Sequence, residues 1–409
     1  RAQLLRREGN EFLARKLLVE VLKEYQGVDY LSSVKEILGS ISTKSKYPVG
    51  VILPLSGAYQ PFGQKVLQAI QIAINGAPTQ DGLPLISLSV RDSKGDPLEV
   101  EKAVEELATK EKAIAIIGPI LSVNVERAAK KAQQLRIPLL TLSPKDSISQ
   151  KGEFIFQISF TPSEQVSTLM NYAFKELGHQ TFAIFYPSSP YGLHFKNLFV
   201  QQVRLRGGKI MGMVAYQENQ TDFSQEIKTL FKLEPLAQPD SKKKRIEEFK
   251  ANVRVDGLFI PDTHERVGMI LSQMDYYDIK GVTFLGINSW NGPGLISIGG
   301  KGAEESIFVD GFFSKSPSPI VSGFIQKFQK TYQREPETLE ALGYDGVQLL
   351  IEILQSKSIS SPSQLKDELH KVQNFKGVTG LKGFDEDGRP IRNLYILKVN
   401  KGQIEQISP

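Results

Sequence analysis

Serine side chains follow apolar runs of the chain at positions suited to holding an anion. The stretch "IAIIGPILSVNVERAAKKAQQLRIPLLTLSP", residues 114–144, reads as strand, Gly-Pro turn, helix and strand. It leaves Ser122 at the start of the helix and Ser143 at the end of the second strand. Ser122 and the backbone N–H groups of the helix N-terminus could together hold a carboxylate, or Ser122 serves only as the helix cap.

The loops after the apolar runs lack the motifs of the common catalytic sites. A phosphate loop needs a Gly-rich turn followed by Lys and Ser or Thr, whereas "GPILS" contains Pro119 and no such lysine. The loop "LSGAYQPFG" does not supply G-x-G-x-x-G, and neither Ser122 nor Ser143 lies in G-x-S-x-G. We therefore expect a non-enzymatic protein without a cofactor.

Metal chemistry is also disfavoured by the sequence. The chain has no cysteine, which excludes disulfides and thiolate metal sites. Its histidines are far apart, and none pairs with a second ligand at metal spacing. We expect no metal site. His264 remains a candidate for ligand binding because "DTHE" directly follows a predicted buried strand.

Length and charge point to a folded protein of two to three domains that does not bind nucleic acid. The chain has 409 residues, and its 50 basic and 45 acidic residues are interleaved, for a net charge of +5. No apolar run is long enough to span a membrane. The start "RAQLLRREGN" lacks the apolar core of a signal peptide, so we expect any export signal to lie upstream.

Strand and helix patterns alternate from Tyr47 onward, which predicts an α/β fold. The apolar runs lack polar alternation, as in parallel strands that are buried on both faces. Two βα lobes, each with a parallel sheet, account for this number of strands, although one large sheet is an alternative. The predicted strands are "VGVILPL", "PLISLSV", "AIAIIG", "PLLTLS", "TFAIFYP", "VDGLFIP", "VTFLGI" and "SIFVDGFF".

The order of the elements predicts a helical arm and two discontinuous lobes. Residues 1–46 read as a helical hairpin, either the end of a tetratricopeptide-like array or a simple arm. Lobe 1 is expected over residues 47–162 and 313–375, and lobe 2 over residues 163–312 and 376–409. Two β-hairpins are predicted near the C-terminus, with turns at "DEDG" and "NKGQ".

Four segments, in order, resemble the type I periplasmic binding proteins of the leucine-binding family, which includes the substrate-binding proteins of branched-chain amino acid ABC transporters. They are "VGVILPLSGAYQPFGQKVLQAIQIAI", "IIGPILSVNVERAAKKAQQLRIPLLTLSP", "FAIFYPSSPYG" and "FLGINSW". The similarity covers roughly residues 48–405. It implies two α/β lobes that close around a small ligand, commonly an amino acid.

The resemblance also implies which residues contact the ligand. The positions that match the carboxylate-holding residues of the family are Ser122, Ser143 and Lys145. Phe62 and Tyr191 match the aromatic residues that flank the ligand. Asn288 stands where the family has an acidic residue for the ammonium group. Since Asn288 has no charge and Lys145 adds a cation, an anionic or neutral ligand fits better than an ordinary amino acid.

A second branch of the family offers a different class of function. A helical arm before a leucine-binding-type body resembles the lipoprotein activators of penicillin-binding proteins, as do "FIPDTHERVGMILSQMDYYDIKGVTFLGINSWNGPGLI" and "FVDGFFSKS". The partner would then be a cell-wall synthase instead of an ABC permease. Both branches imply a periplasmic protein that does not span the membrane, and the second implies a lipid anchor upstream.

Overall fold

The structure is a computed structural model, which describes residues 47–80, 83–235 and 249–408. Contacts divide the chain into two compact units. Unit 1 comprises the described residues up to Ser159 together with Gly323–Arg392, and unit 2 comprises Phe160–Ser322 together with the described residues from Asn393 onward. The helical arm expected over residues 1–46 lies outside the described residues.

Helices and strands alternate along the described residues, as the sequence predicts. The α-helices are α1 (Gln60–Asn75), α2 (Pro97–Thr109), α3 (Ser122–Leu135), α4 (Pro162–Lys175), α5 (Pro190–Leu205), α6 (Ser224–Phe231), α7 (His264–Tyr276), α8 (Pro293–Gly299), α9 (Pro319–Tyr332), α10 (Thr338–Ser356) and α11 (Pro362–His370). The strands are β1 (Tyr47–Leu53), β2 (Thr79–Gln80), β3 (Leu83–Pro84), β4 (Ile86–Asp92), β5 (Ala115–Ile117), β6 (Leu139–Thr141), β7 (Ile155–Gln157), β8 (Thr181–Pro187), β9 (Lys209–Tyr216), β10 (Leu233–Pro235), β11 (Phe249–Ala251), β12 (Gly257–Phe259), β13 (Thr283–Gly286), β14 (Ile307–Asp310), β15 (Leu381–Phe384), β16 (Pro390–Arg392), β17 (Tyr395–Asn400) and β18 (Gln403–Ser408).

The sheet of unit 1 has the strand order β4-β1-β5-β6-β7, and all its pairings are parallel. Ile116 belongs to the core that the sheet forms with α2 and α3. The next residue, Ile117, points to the opposite face, where it contacts α10 at Gly346. Helices therefore cover both faces, which is why the strands of this unit read as unbroken apolar runs.

The larger sheet of unit 2 has the order β18-β17-β14-β13-β12-β8-β9. The pairings from β14 to β9 are parallel, whereas β17 and β18 are added antiparallel as a C-terminal hairpin. The predicted α/β fold with parallel sheets is thus confirmed. The turn at "NKGQ" joins β17 to β18, and the turn at "DEDG" joins β15 to β16, both as predicted.

The structure contains a strand, β9, that the sequence pattern did not predict. It pairs with β8 on one side only, and its residues alternate between exposed and partly buried. Met211 and Met213 lie on the exposed side, so "KIMGMVAY" lacks the continuous buried run that marks the other strands. An edge strand needs less apolar sequence than a central strand, because one of its long edges has no neighbour.

The predicted helix start at "TPSE" is confirmed as a capping box at α4. The Thr161 hydroxyl accepts the Glu164 N–H at 3.1 Å, and the Glu164 carboxylate accepts the Thr161 N–H at 2.7 Å. Pro162 occupies the first helical position. This arrangement satisfies two of the N–H groups that a helix start leaves without partners.

Residues 376–392, which the sequence analysis places in the second lobe, belong to unit 1 in the structure. The buried Asp345 carboxylate of α10 accepts the backbone N–H groups of Val378 at 2.8 Å and Thr379 at 2.9 Å. The backbone N–H of Gln157 at the end of β7 donates to the Gly388 carbonyl at 3.0 Å. These long-range hydrogen bonds attach the hairpin β15-β16 to unit 1, and the local sequence pattern does not reveal them.

Candidate functional site

The candidate residues of unit 1 lie in loops that leave one edge of its sheet. Strands β1, β5 and β6 are adjacent and parallel, so their carboxyl ends meet at the same edge. The loop after β1 leads to Phe62, the loop after β5 to Ser122, and the loop after β6 to Ser143 and Lys145. Ligands of open α/β sheets bind at this edge.

Ser122 and Ser143 are neighbours in the structure although 21 residues separate them. Their hydroxyl oxygens are 3.4 Å apart. Ser143 is fully buried, and its hydroxyl also accepts the Lys145 N–H at 3.3 Å. The Gln157 amide donates to the carbonyl oxygens of Ser143, at 2.8 Å, and Lys145, at 3.0 Å. Ser143 is therefore held rigidly, while Ser122 is exposed beside it.

Ser122 does not cap α3, contrary to one reading of the sequence. It is the first residue of the helix, and the N-cap is Leu121, which makes no side-chain cap hydrogen bond. The first turn of α3 thus keeps backbone N–H groups without a side-chain acceptor, next to the hydroxyl of Ser122. Such a helix start favours an anion through its N–H groups and the positive end of its dipole.

Lys145 forms an ion pair within unit 1. Its ammonium lies 2.9 Å from the Glu126 carboxylate of α3, and both side chains are partly exposed. The hydrogen bond from Lys145 lowers the pKa of Glu126, and its positive charge adds to this effect. Glu126 follows Ser122 by four residues, so both lie on the same face of the helix. Lys145, the cation predicted to contact the ligand, thus has an ion-pair partner in its own unit.

Two exposed aromatic side chains stand at the same edge of unit 1. Phe62, in the first turn of α1, is 49% exposed, and the helix N-cap Tyr59 is 46% exposed. The Tyr59 ring borders the loop after β4, where a Cβ on Gly95 would lie 3.0 Å from the ring. The sequence analysis identified Phe62 but not Tyr59. The position of Tyr59 just before a helix start, after Gly57 and Ala58, is the signal that could have found it.

In unit 2, Tyr191, His264 and Asn288 also lie just beyond the carboxyl ends of neighbouring strands. They follow β8, β12 and β13, which are adjacent and parallel. Because these strands are parallel, the residues that follow them lie at one edge of the sheet. The environments of the three side chains differ.

Tyr191 is half-exposed, and its side chain forms a hydrogen bond with Ser289. The side chain is 48% exposed, and its ring packs edge-on against Phe195 at 4.9 Å between centroids. Burial raises the pKa of Tyr191 to about 12, against the hydrogen bond with Ser289 that lowers it. The Ser189 hydroxyl caps α5 by accepting the Gly192 N–H at 3.2 Å, which fixes the turn that carries Tyr191.

Asp262, directly after β12, is a buried carboxylate that the sequence analysis missed. It is 9% exposed, and it accepts hydrogen bonds from the Tyr216 hydroxyl at 2.7 Å and the Thr263 N–H at 2.7 Å. The Arg266 guanidinium lies 3.1 Å away. Burial raises the pKa of Asp262, although these three partners favour its charged form. "DTHER" places Arg266 one helical turn after Asp262, and this i, i+4 spacing was the available signal.

His264 supports the loop after β13. Its Nδ1 accepts the Gly294 N–H at 3.1 Å, and its Nε2 lies 3.3 Å from the Glu265 carboxylate. A Cβ on Gly292 would lie 2.0 Å from the imidazole ring. The imidazole therefore packs closely on the chain at Gly292 and Gly294, which positions the start of α8.

Asn288 begins a short 3-10 helix, Asn288–Trp290, after β13. Its backbone N–H donates to the Gln165 side chain of α4 at 3.0 Å. The Trp290 indole N–H donates to the Ile260 carbonyl at 2.9 Å, and Trp290 is fully buried. The Ser289 hydroxyl donates to the Asp262 carbonyl at 2.7 Å. The loop is thus anchored at three successive residues.

Two kinds of feature are absent from the described residues. Within residues 47–80, 83–235 and 249–408, no three His, Cys, Asp or Glu side chains come together as a metal site. In the same part of the chain, no helix is long and apolar enough to cross a membrane.

Known proteins share this architecture of two units with parallel sheets. A family model described as periplasmic binding protein matches residues 46–403. A leucine-binding protein from Thermotoga maritima is 25% identical, with a TM-score of 0.66 over 88% of this chain and 98% of that chain. A branched-chain amino acid transporter substrate-binding protein from Streptococcus pneumoniae, solved with isoleucine, is 22% identical. Its TM-score is 0.65, and the match covers 90% of this chain and 100% of that chain.

The chain is also similar to two other proteins. A solute-binding protein of an ABC transporter from Rhodopseudomonas palustris, solved with 3,4-dihydroxybenzoic acid, is 20% identical. Its TM-score is 0.65, and the match covers 88% of this chain and 95% of that chain. Glutamate receptor 2.9 from Arabidopsis thaliana is 30% identical over 129 residues, which are 31% of this chain and 13% of the receptor.

The family model and the shared fold together define the class of protein. The chain belongs to the periplasmic binding protein family and has the type I fold of the leucine-binding proteins. The resemblance to the leucine-binding family that the sequence predicted is therefore confirmed.

Proposed function

We propose that this protein is a non-enzymatic periplasmic receptor that binds a small polar ligand with a carboxylate group, for ABC-type uptake or sensing. The observation that carries the proposal is the hydroxyl pair Ser122 and Ser143, 3.4 Å apart at the uncapped start of α3. A helix N-terminus with adjacent hydroxyl donors is suited to a carboxylate. Membership of the family supports the uptake role, with an ABC permease as partner.

Five side chains are proposed as candidates for ligand contact, each described within its own unit. Ser122, Ser143 and Phe62 are the candidates from unit 1, and Tyr191 and Asn288 those from unit 2. Tyr191 offers a half-exposed ring as an apolar contact surface, and its hydrogen bond with Ser289 fixes the orientation of that ring. Lys145 and His264 are expected to act indirectly, since Glu126 and Gly294 already hold them.

A thermal-shift screen tests the proposal. The panel contains amino acids and aliphatic and aromatic carboxylates, and at least one member should raise the melting temperature in a concentration-dependent way. Ser122→Ala and Tyr191→Ala should each remove most of that shift. The matched controls are Ser356→Ala and Tyr276→Ala, which alter exposed side chains on α10 and α7.

A panel that leaves the melting temperature unchanged would contradict the uptake proposal. So would a shift that survives both site variants, because the ligand would then bind elsewhere. The alternative, a regulator of cell-wall synthases with a lipid anchor, stays a prediction, since the helical arm on which it depends lies outside the described residues.

A further inference from the structure

The chain leaves or enters unit 1 at three places among the described residues, and they differ in local structure. One of them, between Ser322 and Gly323, lies within α9, where backbone hydrogen bonds of the helix continue through it. The other two come at Ser159, shortly after β7, and at Arg392, the last residue of β16. The rigidity of these two strand exits therefore depends on contacts that nearby side chains make.

The guanidinium of Arg392 joins the two strand exits. One of its terminal nitrogens donates a hydrogen bond to the carbonyl of Ile158, the residue before Ser159. The two residues are 234 positions apart in the chain, and both belong to unit 1. A second link lies farther back in the hairpin, where the Gln157 N–H donates to the Gly388 carbonyl at 3.0 Å. Arg392 thus connects the two exits at the residues where the chain leaves the unit.

The same guanidinium is anchored in the interior of unit 1. Its other terminal nitrogen lies 3.5 Å from the Thr379 hydroxyl oxygen. Thr379 is buried, and its hydroxyl donates a hydrogen bond to the buried Asp345 carboxylate of α10. Asp345 also accepts the backbone N–H groups of Val378 at 2.8 Å and Thr379 at 2.9 Å. A chain of polar contacts therefore runs from α10 through Thr379 and Arg392 to both strand exits.

The charges along this chain of contacts favour it. Burial raises the pKa of Asp345 to about 6, and the positive charge of Arg392 is among the causes that oppose the rise. At neutral pH the carboxylate is therefore mostly charged and attracts the guanidinium. Because the Thr379 hydroxyl donates its proton to Asp345, a lone pair of its oxygen remains to accept from Arg392. Loss of one member would leave a buried partner unsatisfied, which is costly.

We propose that Arg392 is a strap that holds both strand exits of unit 1 to α10 through Thr379 and Asp345, so that the two exits loosen together. The strap confines bending of the chain at these exits to the residues from Phe160 and Asn393 onward. Nothing in it requires a ligand, so its test is independent of the proposed function.

Hydrogen exchange with mass spectrometry on the whole protein tests the strap. Arg392→Met removes the guanidinium, and exchange should become about tenfold faster in residues 155–160 as well as in residues 388–394, as expected for loss of a hydrogen bond from a charged group. The matched control is Arg389→Met in the same hairpin, because Arg389 is exposed and pairs only locally with Asp387 at 2.8 Å. It should leave residues 155–160 unchanged. Faster exchange of residues 388–394 alone in Arg392→Met overturns the strap.

Thr379→Val tests whether the strap runs through Thr379, since valine keeps the shape of threonine and removes its hydroxyl. Exchange of residues 155–160 should become about threefold faster, although the hydrogen bond to Ile158 comes from Arg392. The double variant should exchange no faster there than Arg392→Met alone, because both changes break one chain of contacts. Effects that multiply in the double variant contradict the connection through Thr379. If Arg392→Met does not fold, Thr379→Val decides by itself, and unchanged exchange of residues 155–160 overturns the proposal.

Discussion

At the scale of single residues, the surroundings of a side chain decide its role more than its type does. His264 and Lys145 both have types that suit ligand binding, yet each is held by a partner in its own unit, Gly294 and Glu126. Tyr191 and Ser122 keep an exposed surface. The structure thus separates exposed side chains from those that a neighbour in the same unit already holds.

His264→Ala should lower protein stability rather than abolish ligand binding. It removes the acceptor for the Gly294 N–H and the packing on Gly292, and the expected loss is about 1–3 kcal/mol. Chemical denaturation measures this loss. His264→Asn retains an oxygen acceptor and should lose less. A large fall in ligand affinity with unchanged stability would instead make His264 a ligand contact.

At the scale of elements, both units use a glycine to bring a helix close to the strand before it. A Cβ on Gly63 of α1 would lie 1.9 Å from the Pro54 carbonyl oxygen, after β1. A Cβ on Gly192 of α5 would lie 2.0 Å from the Pro187 carbonyl oxygen, at the end of β8. These glycines let the helix starts that carry Phe62 and Tyr191 approach the sheet edge.

Gly63→Ala and Gly192→Ala should each destabilise the protein by about 2–4 kcal/mol, because a backbone carbonyl cannot move aside as a flexible side chain can. Urea unfolding measures the change. Gly323→Ala in α9 is the matched control: nothing lies within 4 Å of its Cβ, so the substitution should stabilise slightly through helix propensity, by about 0.5–1 kcal/mol. Equal effects of all three would contradict this account.

The stability of the contact between α10 and the hairpin β15-β16 should depend on pH because of Asp345. Burial raises the pKa of Asp345 from 3.8 to about 6, against hydrogen bonds from Thr379 and Val378. The folded state thus holds the proton more tightly than the unfolded state. The stabilisation from Asp345 is complete below pH 3.8 and is lost as the pH rises to about 6, a change of about 3 kcal/mol.

Unfolding by urea at pH 4 and pH 7 checks this sign. Asp345→Asn removes the titrating group, so the stability difference between the two pH values should move by about 3 kcal/mol relative to the wild type. Asp222→Asn is the control: Asp222 is exposed, and its hydrogen bonds from Ser224 lower its pKa, so its titration lies below this pH window. A shift in Asp222→Asn but not in Asp345→Asn would contradict the assignment.

At the scale of the whole molecule, each unit has its own sheet and its own core. The core of unit 2 includes Trp290, Phe199 and Phe259, whose rings stack or lie close to other aromatic rings. A core of unit 1 lies between its sheet and the helices α2 and α3. Compact units with separate cores can lose structure separately.

Gly192→Ala should therefore weaken unit 2 more than unit 1. Native-state hydrogen exchange with mass spectrometry should show faster exchange in β8, β12 and β13, and nearly unchanged exchange in β1, β5 and β6. Gly63→Ala is the reciprocal control, with the faster exchange in unit 1. Uniformly faster exchange in both units for both variants would show that the chain unfolds as a single cooperative unit.

Much of this protein was determined by sequence pattern alone. Unbroken apolar runs predicted the central strands, the capping box predicted the start of α4, and turn residues predicted both hairpins, because these signals act over a few neighbouring residues. The order of four segments identified the family. The sequence pattern also placed Ser122 and Ser143 after successive strands. The parallel pairing of β5 and β6 brings these two serines together.

The tertiary structure decided what depends on contacts distant in sequence. The hairpin β15-β16 belongs to unit 1 because Asp345, more than thirty residues earlier, binds its loop. Lys145 forms an ion pair with Glu126, and the buried Asp262 forms one with Arg266. Sequence spacing shows which charges are present. Only the fold decides which of them are already paired, because pairing depends on distances of about 3 Å between groups far apart in the chain.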